Sequence, residues 1–145
     1  MRTLILMLFL AGCPASPTPT GATCPDADPV NSPSLTWDNF GHDFMFTYCT
    51  NCHASTLPHS MRNGAPIYHD FDTEIGVVEV DDHVDEQTGW GPNAQNNFMP
   101  GAGTGGKCPS VAGGALDEAC PEPTADERTK LAQWIACEKV THPHP

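Results

Sequence analysis

Large apolar side chains recur at helical intervals in only two stretches. Trp37, Phe40, Phe44 and Tyr48 follow one another at spacings of three, four and four, with Thr36 placed to cap, which predicts a helix running into residue 48. Leu131, Trp134 and Ile135 share one face behind Thr124-Ala125-Asp126-Glu127, a capping box with acidic residues at its start, which predicts a helix to about Glu138. Between them the pattern is weak. Asp72 can cap a helix over residues 73–87, while Gly76 and the β-branched Ile75, Val77 and Val78 leave a strand open. Residues 89–101 read as a loop rich in Gly and Asn. Residues 101–123 hold Gly and Pro throughout and read as an extra loop.

The ends are polar or targeting-like. Arg2 followed by the apolar run 4–10 is too short to span a bilayer as a mature helix and reads as a signal peptide over residues 1–12. From Pro14 to about Ser34 almost no large apolar residue occurs, so residues 13–35 are expected to form a flexible tether. Residues 141–145, with His142 and His144, read as a frayed tail. One small domain, residues 36–140, remains.

Composition narrows the partners. The net charge is −12, which excludes nucleic acid and direct adsorption to anionic lipid, and favours a protein partner with a basic docking face. Eight carboxylates lie between Asp70 and Glu86 with no Lys or Arg, yet the run lacks the alternation and central glycine of a calcium loop and reads as a solvated acidic face.

The chemistry sits in Cys49-Thr50-Asn51-Cys52-His53. Two thiols three residues apart followed by an imidazole form the attachment pattern of a c-type haem, and with seven Cys and seven His in the chain the pattern would arise by chance about 0.02 times. Cys49 and Cys52 would form thioethers to one covalent haem c, and His53 would ligate the iron. A thioredoxin-like pair, a zinc knuckle or a structural disulfide are the competing readings, and none of their contexts is visible. Arg62 is one of five cations outside the signal, and reads equally as the partner of a haem propionate or as a surface arginine. Thioethers and disulfides both belong to an exported protein.

The motif and its surroundings resemble class I c-type cytochromes. Gly41, eight residues before Cys49, matches the glycine that lets the last helix cross the first closely, whereas Met45 replaces the usual aromatic four residues before Cys49. The resemblance implies an all-α, cytochrome c-like domain of three to five helices with long loops around the haem. It implies Met99, in Met99-Pro100, as the second axial ligand, and the Pro66 carbonyl as acceptor of the His53 Nδ1 hydrogen. It also implies one-electron transfer rather than enzyme catalysis. Leu10-Ala11-Gly12-Cys13 resembles a lipobox, implying lipidation of Cys13 and anchoring in the cell envelope facing the periplasm, at the outer membrane because Pro14 is not aspartate.

Four cysteines then remain, with three pairings open to them. Cys108–Cys120, closing a local loop, and Cys24–Cys137, pinning the tether to the last helix, are the expected disulfides. Two rival functions stand beside electron transfer: a haem sensor or enzyme with an open distal site, for which His59, His69 or His83 would be recruited, and a haem-free, disulfide-rich structural lipoprotein.

Overall fold

A computed structural model describes residues 16–143. The signal stretch 1–12, Cys13 and its lipidation, and the last two residues of the tail lie outside the described residues. Thr36 caps as expected. Its hydroxyl accepts from Asn39 N at 3.2 Å while Asn39 Oδ1 accepts from Thr36 N at 2.7 Å, starting a π-helical turn, Trp37–Gly41, that passes into α1, His42–Tyr48. The weakly patterned acidic stretch forms two short helices, α2 (Glu74–Val78) and α3 (Asp81–Thr88). Thr73, not Asp72, caps α2. The Asp72 carboxylate instead accepts from Ser55 N at 2.9 Å and Ser55 Oγ at 2.8 Å, tying α2 to the residues just after the CxxCH motif. The last helix, α4 (Ala125–Thr141), carries the expected capping box and runs three residues beyond the expected end.

The core gathers Phe44 and Met45 from α1, Phe71, Val77 of α2, Val84 of α3, and Leu131, Trp134 and Ile135 of α4. Trp134 is fully buried, and Gly41 lies against its ring so closely that an added Cβ would meet Cη2 and Cζ2 at 2.6 Å. Gly41 therefore packs against the far edge of the Trp134 ring, where a residue with a Cβ has no room.

The all-α expectation is corrected. Four α-helices are joined by a two-stranded antiparallel sheet, β1 (Lys107–Pro109) and β2 (Leu116–Ala119), making the fold mixed. The reason is the Cys108–Cys120 disulfide, which holds two extended arms side by side in a segment too rich in Gly and Pro for a helix. The sheet does not stand apart from the motif: Asn51 Nδ2 donates to Pro109 O at 3.1 Å, and Gly113 N donates to Asn51 O at 3.1 Å.

The stretch read as tether is also partly docked. Thr20 is buried, with its N–H and hydroxyl bonded to the Asp85 carboxylate at 2.8 and 2.6 Å, and Asn96 Nδ2 donates to Thr18 O at 2.7 Å. Polar side chains do the docking, so apolar content gave no sign of it. Cys24 is bonded to Cys137 of α4, and with Cys108–Cys120 this is the pairing expected from the sequence. No helix of the described residues is long and apolar enough to cross a membrane.

Candidate functional site

The CxxCH motif is a tight turn at the end of α1. Cys49 N donates to Met45 O at 2.8 Å, closing the helix, and the Cys49 carbonyl then accepts from both Cys52 N (3.1 Å) and His53 N (2.9 Å). Both sulfurs therefore stand on one short turn with the imidazole directly after them. Cys49 and Cys52 are half-buried free thiols, whereas the other four described cysteines are all in disulfides.

Burial pushes the Cys49 thiol up to about 12, with the neighbouring Cys52 adding to the effect, and burial raises Cys52 as well. A thiol–disulfide oxidoreductase requires the opposite, a thiolate stabilised near neutral pH. Among the described residues the turn is not set in a strand–helix–strand unit, the context that a thioredoxin-like pair would need.

His53 is buried, and its ring stacks on Phe71 at 4.5 Å with 9° between the planes. Its Nδ1 lies 3.2 Å from His69 O. A carbonyl only accepts, so Nδ1 carries the hydrogen and Nε2 keeps a lone pair free to ligate a metal. Burial lowers the His53 pKa to about 4, so the ring is neutral at physiological pH.

The acceptor differs from the expected one. The Pro66 carbonyl is taken by Arg62 Nη2 at 2.8 Å, and His69 O serves His53 in its place. Tyr68, at φ +73°, turns the chain immediately before His69. Arg62 is likewise not a surface cation awaiting a ligand. It is buried, and its guanidinium donates to Ala54 O (3.0 Å), Asp70 Oδ1 (2.6 Å), Pro66 O (2.8 Å) and His69 O (2.7 Å). Only its Nε is without a partner among the described residues. Arg62 thus fixes the carbonyl that orients His53.

Met99 lies half-buried on the loop after α3, and its backbone is held twice. Met99 N donates to Gln87 O at 2.9 Å, and Met99 O accepts from Arg128 Nη1 at 2.9 Å. Arg128 is buried on α4, also donates to Thr88 O and Asn96 O, and pairs with Glu122 at 2.8 Å. Its charge acts on Cys49 too.

The structure brings Cys49, Cys52, His53, Arg62 and Pro66 into one neighbourhood, and holds Met99 on a separate loop fixed by Gln87 and Arg128. Sequence reasoning missed Phe71, Arg128 and the role of His69. Arg128 carried a signal: a cation three residues before Leu131 sits on the apolar face of its helix. The residues fit a covalent haem in three respects: two unpaired thiols on one turn, an imidazole with its tautomer fixed, and an aromatic face packed on that imidazole. No family model matches the chain, and no curated protein or solved structure matches it either.

Proposed function

We propose that Cys49 and Cys52 carry one covalent haem c and that the chain transfers single electrons in the bacterial cell envelope. The observation that carries this reading is the pairing of two free thiols with a neutral imidazole whose Nδ1 is committed to His69 O. When bound, the haem supplies a ferrous/ferric couple. The chain's own residues do the rest. Cys49 and Cys52 fix the porphyrin edge, and His53 offers Nε2 to the metal. His69 O and Phe71 hold the imidazole in one orientation, so little rearranges around it as charge changes. Met99 is the second ligand in this reading, on a backbone that Gln87 and Arg128 hold in place.

Export by the 1–12 signal and lipidation at Cys13 belong to the same proposal, as does a redox partner presenting a basic face to this acidic chain. The test is a pyridine haemochrome spectrum of protein made with the haem-attachment machinery. A spectrum of two saturated thioethers is expected, and Cys52→Ser should lose one of them. Colourless protein refutes the reading.

A second reading has its own support. The Cys24–Cys137 disulfide spans 113 residues and contributes about 4–5 kcal/mol by loop-closure entropy, enough for a small domain to hold together without a cofactor. On that reading the chain is a haem-free, disulfide-stabilised structural lipoprotein, and the colourless outcome favours it.

A further inference from the structure

His69 and His83 meet from different elements. His69 ends the loop behind the CxxCH turn, and His83 stands exposed in the first turn of α3. His69 Nε2 and His83 Nδ1 are 3.4 Å apart, and the rings are 5.2 Å apart at 36°. That separation is long for an N–H···N hydrogen bond, which settles near 3 Å. It is the edge of a tetrahedron: two imidazole nitrogens bound to zinc at roughly 2.0–2.1 Å, at the tetrahedral angle, stand about 3.3 Å apart.

We propose that His69 and His83 form a divalent-metal site that takes zinc. One ligand is already positioned, because the His69 backbone is fixed through its carbonyl by Arg62 and His53. The other stands on a helix whose first turn carries Asp81 and Asp82. The surrounding stretch, with eight carboxylates between Asp70 and Glu86, attracts dications. Asp70, the next residue in the chain, is engaged with Arg62 at 2.6 Å. Among the described residues no third His, Cys or carboxylate oxygen converges with these two nitrogens, so water fills the remaining positions and the ion exchanges. The described Cys24, Asp26 and Cys137 do converge, but their two sulfurs are joined as a disulfide.

The site stands independently of haem at Cys49, Cys52 and His53. Because the metal would join a loop to α3, it binds the folded chain and raises its stability by mass action. The test is equilibrium dialysis of zinc chloride against the full-length protein and its His83→Ala and His59→Ala variants. Zinc held at the thiols or the tail is common to all three and cancels in the comparison. His83 is exposed, so alanine there leaves the core untouched. Wild type and His59→Ala should hold one equivalent more than His83→Ala, and zinc should raise the unfolding temperature of the first two only. Equal uptake by wild type and His83→Ala overturns the proposal.

Discussion

Gly41→Ala tests whether the packing of Gly41 on the Trp134 ring governs stability. An alanine Cβ would sit 2.6 Å from Trp134 Cη2 and Cζ2 and 3.1 Å from Cε2. Ordinary contact begins near 3.4 Å, so the overlap is close to 1 Å. The indole cannot easily give way. It is fully buried, its Nε1 donates to Glu138 Oε1 at 2.7 Å, and Trp37 and Phe40 flank it with ring centroids at 6.2 Å. Overpacking of this kind costs about 1–3 kcal/mol, and the lack of room for relief puts Gly41 in the upper half of that range. Better helix propensity returns up to about 1 kcal/mol. A net loss of about 1–2 kcal/mol is expected, or some 4–8 °C in Tm for a chain of this size. The sign is the informative part, since the same replacement at an exposed helical glycine stabilises. Guanidinium unfolding followed by helical circular dichroism, with disulfides intact, measures it. Trp134→Leu supplies the control: on that background Gly41→Ala should be neutral or stabilising. A Gly41→Ala protein within 0.5 kcal/mol of wild type, or an equal penalty without the indole, refutes the reasoning.

Other perturbations follow from the same contacts. Replacing Cys24 and Cys137 together with serine should cost about 2–5 kcal/mol, read as a lower denaturant midpoint, and an unchanged midpoint would mean the tether contributes nothing. Arg62→Gln strips a buried cation from three carbonyls and a carboxylate; because Asp70 is partly exposed, the expected cost is about 2–3 kcal/mol rather than that of a fully buried pair, checked by urea unfolding. The Thr124 N–H and hydroxyl hold the Glu127 carboxyl below its ordinary range, so its contribution is fully present above the unfolded value near pH 4.3 and is lost as pH falls through the lower folded value. Glu127→Gln should therefore flatten the stability–pH curve in that acidic window, and identical curves would count against the capping box. In haem-loaded protein, Met99→Ala should admit carbon monoxide while leaving the haem attached; a variant whose spectrum matches wild type removes Met99 from the site.

Local features of this chain could be read directly and distant ones could not. The caps at Thr36 and Thr124 and the face of α4 depend on residues within five positions of each other, and each reads correctly from spacing alone. The break between α2 and α3 does not, because Val80 leaves the helical region to bury Asp81 and Val84, and the apolar period carries no mark of this. The β-hairpin depends on a cross-link twelve residues long, and the docking of Thr20 on Asp85 spans 65. The acceptor for His53 failed for a similar reason. The resemblance pointed to Pro66, but competition from Arg62 for that carbonyl is a property of the folded loop.

The two arginines explain why an acidic chain can be so loop-rich and still present ordered side chains beside the motif. Of five cations beyond residue 12, Arg62 and Arg128 are the two whose side chains are almost wholly buried, and each donates to three backbone carbonyls and one carboxylate. Buried carbonyls outside helices and sheets need donors, and a planar guanidinium supplies five in a fixed geometry. Arg62 serves the loop behind His53; Arg128 serves the loop that carries Met99. Each arginine therefore replaces the regular secondary structure missing from its loop. A lysine, with three donors on a flexible stem, would leave carbonyls unpaired at either position. The surface is correspondingly left to the carboxylates, so the cations that order both candidate ligand loops also leave the exterior strongly negative.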